Sequence, residues 1–355
     1  MMSTTMRAAV LHDIKDLRVE DFPKPTNLGP DDVLVHVKYN GLCGTDASEY
    51  AKNSMLVPLK IANRNSKHQG ATILGHEFIG TVVEAGSNAQ EMIGKRVACG
   101  AGVSCGQCAL CKVGRTNLCD NYYTLGLSIH GGLAEYAVAP KNICIPIPDN
   151  VSDESAALAQ PLAVGIHGVR RAGVKKGDQV ILLGVGAIGS FVCVALQNYG
   201  VEIIAMDIDQ KRLDVAKQLG ADKTILISTG ITPAEVKEFY PTGVDVVFET
   251  SGAPDAAARG LALTKKGGIL VLMGLNKTPQ EFPFVDAVLR EVVLQTTAAH
   301  ICKEDIPEAL SLLATGTIAN LLTDRIYTLE NVKEAFEVLV AGKANGKILV
   351  TPQNV

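Results

Sequence analysis

The stretch Gln179-Val180-Ile181-Leu182-Leu183-Gly184-Val185-Gly186-Ala187-Ile188-Gly189 decides the fold. A short apolar strand runs directly into G-x-G-x-x-G at the opening of a helix. In that order the first glycine permits a tight turn, the second lets backbone approach a pyrophosphate, and the third lets helix and strand pack closely. The free N–H groups and positive dipole end of the helix suit phosphate groups. Gly184, Gly186, Ala187, Ile188 and Gly189 are therefore candidate dinucleotide-binding residues. Val180 to Leu196 is also the one membrane-like apolar run, but three glycines break it where a spanning helix needs continuity, so it reads as strand, turn and helix.

Working outward, the pattern predicts strands at Gln179–Leu183, 201–206, 224–227, 244–248, 268–273 and 292–298, alternating with helical stretches. Such alternation gives repeated βαβ units and a doubly wound parallel sheet. The second strand ends in Asp207, 23 positions after Gly184. A carboxylate there accepts hydrogen bonds from the adenosine ribose and repels a 2′-phosphate, which predicts NAD rather than NADP. The alternative is that Asp207 merely caps the following helix. Arg212 either stacks on the adenine or is an ordinary solvated helix residue, and it would soften the rejection of NADP.

Upstream the texture differs. Short alternating segments at 33–39, 78–84 and 133–138, broken by glycine and proline, predict an antiparallel β domain that ends near Pro148. Downstream come helical runs at 307–313 and 330–339 and a last strand at 347–350, too short to stand alone and expected to return to the first domain. A chain of 355 residues exceeds what one core organises, and 47% hydrophobic residues supply material for two. A net charge of −4 offers no basic field, so neither nucleic acid nor membrane is an expected partner. The opening residues lack an apolar stretch ending in a small-residue cleavage site, which makes a cytoplasmic location the expectation.

Of nine cysteines, four crowd into Cys105, Cys108, Cys111 and Cys119 with the pattern C-x2-C-x2-C-x7-C. In a reducing compartment that spacing closes a tetrahedral zinc shell with no open position, the mark of a structural site. A second set is split: Cys43-Gly44-Thr45-Asp46 and, 33 residues after Cys43, Gly75-His76-Glu77. A thiolate, an imidazole and a carboxylate with a position left open for water or substrate make a catalytic zinc site. The alternative for His76 and Glu77 is a satisfied polar pair.

With both clusters and the glycine turn in this order, the sequence resembles the zinc-containing medium-chain alcohol dehydrogenases over nearly its whole length. Within them it looks most like the sorbitol, threonine and 2,3-butanediol dehydrogenases. The matching segments are Cys43 to Asp46, Gly75 to Glu77, the four-cysteine lobe, Gln160 to His167 and the glycine turn, with the Met55 to Thr72 stretch most similar to the butanediol branch. The resemblance implies a Rossmann doubly wound parallel sheet inserted in a GroES-like antiparallel β catalytic domain. Residues 1–160 and 300–355 would form the catalytic domain, and 161–299 the NAD-binding one.

The resemblance also assigns roles. Cys43 and His76 ligate the catalytic zinc, with Glu77 a ligand or close beside it. Thr45 carries the alcohol proton and Asp46 orients His76 through its second ring nitrogen. Ser251, Gly252, Met273, Gly274, Leu275 and Thr297 fall where strand ends approach the dinucleotide. The implied reaction interconverts a small secondary alcohol, such as a 2,3-butanediol-like diol, and its ketone with NAD(H). A polyol or amino-alcohol substrate, or an NAD-binding sensor with impaired catalysis, is the alternative. A homodimer or homotetramer paired along 292–298 is expected. Two positions depart from the family. Gln160 stands where this branch usually has Glu at the zinc or its water, unless it only caps the helix near Pro161. Ser48 stands where many relatives have a His, and serine relays a proton but cannot store one near neutral pH.

Overall fold

Alternating branched residues make Asp32–Gly41 the central strand of an antiparallel sheet in the computed structural model, which describes residues 4–52, 55–276 and 278–353. Val33, Leu34, Val35 and Val37 are all buried. The strand pairs with Phe78–Ala85 on one side. On the other it pairs first with Tyr136–Pro140 and then, at Asn40 and Gly41, with Lys347–Thr351. Two compact units make up the chain: Met1–Ala163 with His300–Val355, and Val164–Ala299.

In the first unit, helix α1 (Gly44–Ala51) follows the central strand. Its buried Tyr50 meets Phe336 edge-on, with ring centroids 5.2 Å apart. Burying a ring such as Phe336 contributes about 1.5–3 kcal/mol, which anchors one face of α1 in the core of Val10, Leu42, Ile73, Leu133 and Ile348. Helix α2 (Ala159–Ala172) begins in this unit, with Gln160 in its first turn, and continues into the second from Val164.

The second unit holds a parallel sheet. Its strands are β1 (Gln179–Leu183), β2 (Glu202–Asp207), β3 (Lys223–Leu226), β4 (Val244–Glu249), β5 (Thr264–Leu272) and β6 (Val293–Thr296), in spatial order β3-β2-β1-β4-β5-β6. The order reverses between β1 and β4, the position at which such sheets bind ligands beyond their carboxyl ends. Helix α3 (Ala187–Leu196) is buried from Gly189 to Leu196, as its all-round apolar composition requires. Among the described residues, no helix is long and apolar enough to cross a membrane.

Several boundaries differ from the sequence pattern. The strand read at 292–298 is only Val293–Thr296, because its partner β5 ends at Leu272, opposite Thr296. Beyond it, the N–H groups of Met273 and Gly274 turn onto the Glu249 carbonyl at 2.9 and 3.0 Å, which leaves Thr297 outside the ladder. The strand read at 133–138 starts at Tyr136, since Leu133 and Ala134 bond instead with Leu74, Ala9 and Ala8. The helical run read from Pro307 begins at Cys302: the Asp305 carboxylate takes the Ile301 N–H at 2.6 Å and starts the helix, leaving Pro307 in its interior.

Candidate functional site

The split cluster closes in three dimensions. Cys43 ends the segment after the central strand and is the N-cap of α1, while Asp46 sits in the first turn of the helix and is fully buried. Its Oδ2 accepts the Cys43 N–H at 3.0 Å and its Oδ1 lies 3.2 Å from His76 Nδ1. One carboxylate thus fixes both the cap and the ring, committing Nδ1 as donor and leaving Nε2 for a metal. Gly75 delivers His76 with φ +93, and a side chain there would place its Cβ 2.6 Å from Asn40 Oδ1. Only glycine satisfies both demands.

Ligand atoms of Cys43, His76 and Glu77 all lie within 4.8 Å of one another. Sulfur, nitrogen and carboxylate oxygen at that spacing fit a zinc ion. Burial opposes a charged His76, but Asp46 and Cys43 outweigh it and raise its pKa well above the ordinary value. A ligating imidazole must be neutral, so loading a metal here releases that proton. Thr45 Oγ1 lies 3.8 Å from Cys43 Sγ, and Ser48 follows three residues on, on the same face of α1.

A side chain that sequence reasoning missed completes this centre. Lys347, at the start of the returning strand, is buried, with Nζ 2.9 Å from Glu77 Oε1, 2.7 Å from Oε2 and 3.2 Å from the Leu42 carbonyl. Burial works against its charge, yet Glu77, then Cys43 and Asp46, raise its pKa. The available signal was a lysine opening the otherwise apolar Ile348-Leu349-Val350.

The four-cysteine lobe also comes together. Cys119 Sγ stands 3.5 Å from that of Cys105 and 3.9 Å from that of Cys108. Zinc–sulfur bonds of about 2.3 Å in a tetrahedron put sulfurs about 3.8 Å apart, so the set fits one ion. Backbone N–H groups of Gln107 and Cys108 pull Cys105 down to about 6, whereas burial and its thiol neighbours push Cys111 up to about 12. Four thiolates this close cannot all ionise without a cation between them. Cys108→Ser is accordingly expected to lower the melting temperature and lose one zinc while changing the chemistry per folded molecule little. A melting curve unaltered after loss of that zinc would count against a structural role.

In the second unit the glycine turn joins β1 to α3. Gly184 has φ +94, a Cβ on Gly186 would meet open space, and one on Gly189 would overlap the Gly184 carbonyl. Asp207 is buried at the end of β2, its Oδ2 accepting the Val185 N–H at 2.7 Å and its Oδ1 the Asp209 N–H at 3.0 Å. The carboxylate therefore fastens the turn. Arg212 Nη1 is 3.9 Å from Asp207 Oδ1 and Nε 3.9 Å from Asp209 Oδ2. Ser251 and Gly252 follow β4, Met273, Gly274 and Leu275 follow β5, and Thr297 lies one residue past β6.

Gln160 is half-buried. If it faces the metal centre, Gln160→Glu adds a negative charge there. The alkaline limb of the oxidation pH profile then moves upward, and zinc resists chelator longer because a carboxylate is the better ligand. Unchanged profile and chelator half-time would remove Gln160 from the site.

Residues 29–149 match the alcohol dehydrogenase GroES-like domain, and residues 187–315 the zinc-binding dehydrogenase family. L-idonate 5-dehydrogenase of Vitis vinifera is 36% identical over 94% of this chain and 92% of its own length. Sorbitol dehydrogenase of Arabidopsis thaliana is 32% identical over 96% of this chain and 94% of its own. The crystal structure of 2R,3R-butanediol dehydrogenase from Bacillus subtilis superposes with a TM-score of 0.87 at 30% identity, covering 98% of this chain and all of that one. The fold and the donor sets define a zinc-type oxidoreductase. The chain belongs to the zinc-containing alcohol and polyol dehydrogenase family.

Proposed function

We propose that this enzyme interconverts a small secondary alcohol carrying a neighbouring hydroxyl, a 2,3-butanediol-like diol, and its ketone with NAD(H), in the cytoplasm. The observation that carries the reading is the set of half-buried Cys43 with buried His76 and Glu77, and Asp46 locked onto His76. Zinc held by this set supplies Lewis acidity toward an alcohol or carbonyl oxygen, and the nicotinamide supplies the hydride acceptor or donor. Asp46 keeps the His76 ring in one orientation. Thr45 takes the proton released by the alcohol and Ser48 passes it toward water, both from one face of α1. Asp207 meets the adenosine ribose and disfavours a 2′-phosphate, and Arg212, 3.9 Å from it, softens that preference.

A polyol substrate is the second reading, favoured by the relatives named for idonate and sorbitol. A cofactor-coupled absorbance screen of vicinal diols, polyols and simple secondary alcohols, with NAD and NADP in parallel, tests both. Highest kcat/KM on a diol with NAD supports the proposal, a polyol moves it to the second reading, and equal use of NADP overturns the role given to Asp207. Two zinc ions per chain are expected. The exposed Phe284, Val285, Val288 and Leu289, just before β6 in sequence, and the place of β6 at the end of the strand order among the described residues supply an apolar face for a second copy. Light scattering should read a dimer or tetramer, and a monomer at micromolar concentration overturns this.

A further inference from the structure

Glu249 is the last residue of β4, directly beside the reversal of strand order, and the residue is 3% exposed. A carboxylate removed from water costs several kcal/mol unless donors replace the water. The donors come from the turn that follows. Oε1 accepts the Ser251 N–H at 2.7 Å, the Ser251 hydroxyl at 2.7 Å and the Gly252 N–H at 2.9 Å. The Ser251 oxygen in turn accepts the Ala253 N–H at 3.2 Å, so this hydroxyl is spent inward on shaping the turn. A Cβ on Gly274 would stand 2.5 Å from Glu249 Oε2, and the main-chain carbonyl of Glu249 takes the N–H groups of Met273 and Gly274. Next in sequence, Thr250 donates its hydroxyl to the Gly184 carbonyl and its N–H to that of Leu183 at 3.1 Å. The phosphate-binding turn, the Ser251–Gly252 turn and the Met273–Gly274 turn are all fastened at this one place.

We propose that Glu249 is a positioning residue of the cofactor site: its buried carboxylate and carbonyl hold the two turns after β4 and β5 in the shape a nicotinamide dinucleotide meets at the switch point. This rests on the dinucleotide reading above. What acts is acceptor geometry rather than charge, since every partner of Oε1 is an N–H or O–H of the turn.

The zinc-loaded protein is titrated with NADH and followed by the fluorescence of the directly excited nicotinamide. Steady-state rates are measured at saturating alcohol. For Glu249→Ala the NADH Kd and the KM for NAD should rise about 10- to 100-fold, from buried donors left without an acceptor. The kcat at saturating NAD and the KM for alcohol should stay within about twofold. Glu249→Gln keeps an acceptor oxygen and should restore affinity to within about threefold of native. Native-like NADH affinity in a folded Glu249→Ala overturns the proposal, and so does Glu249→Gln losing as much as Glu249→Ala. If Glu249→Ala does not fold, Ser251→Ala removes one donor without touching the carboxylate and should weaken NADH about 3- to 10-fold; no weakening overturns the proposal. NADPH is titrated alongside. A native protein that binds only NADPH carries the same comparison on that cofactor, and one that binds neither overturns the dinucleotide reading and the proposal with it.

Discussion

Asp46→Ala should hold its catalytic zinc about 10- to 100-fold less tightly than the native enzyme and lose kcat/KM to a similar degree. The carboxylate is fully buried and spends one oxygen on the Cys43 N–H and the other on His76 Nδ1. Removing it frees the ring to rotate and removes the helix cap at the same ligand segment, so both donors lose their fixed positions together. The helix cap alone accounts for about 1 kcal/mol of stability, too little to explain a metal defect of that size. A pH series on metal-free protein separates the two effects. The folded pKa of His76 is raised above the unfolded value of about 6.5, so the His76–Asp46 pair stabilises the native chain fully below that value. That contribution is lost as pH rises through the raised folded value. Asp46→Ala should flatten this dependence while weakening zinc. Zinc affinity equal to native, by competition with a chromophoric chelator, would show that the carboxylate does not orient the ligand.

What could be read from the sequence was what lies close along it. The glycine turn and the four-cysteine lobe each fit within fifteen residues, and local spacing fixed their geometry. The Cys43 and His76 segments were legible only because each carries its own motif. Lys347 was not, since its partner Glu77 lies 270 positions away and nothing near Lys347 in sequence anticipates a carboxylate there. Glu249 was hidden differently: it closes an apolar strand, where a charged residue reads as the strand's exit to solvent, yet it folds back onto its own turn. Thr297 illustrates the reverse error. Apolar and β-branched residues continue past Thr296, but a strand ends where its neighbour ends, and β5 had already turned onto Glu249. The helical run read from Pro307 starts five residues earlier, and the signal for that start, Asp305 reaching back to the Ile301 N–H, is a contact rather than a pattern.

Lys347→Met should destabilise the metal-free protein by about 3–5 kcal/mol, because it leaves the Glu77 carboxylate buried without its cation. The two side chains are 5% and 2% exposed, so little water reaches either. For a unit of this size that corresponds to a fall of roughly 6–20 °C in melting temperature. Zinc changes the balance. With the lysine gone, Glu77 has only the metal to neutralise it, so saturating zinc should raise the melting temperature of Lys347→Met by more than it raises that of the native protein. A metal ion bound at the native centre would compete with Lys347 for one carboxylate, and the lysine holds Glu77 beside the Cys43–His76 pair. The paired change Lys347→Met with Glu77→Gln removes both charges at nearly constant volume and should recover most of the loss, giving a coupling energy in a double-mutant cycle. A metal-free Lys347→Met that melts with the native protein, or a double variant no more stable than the single, would mean that the buried pair does not hold this centre together.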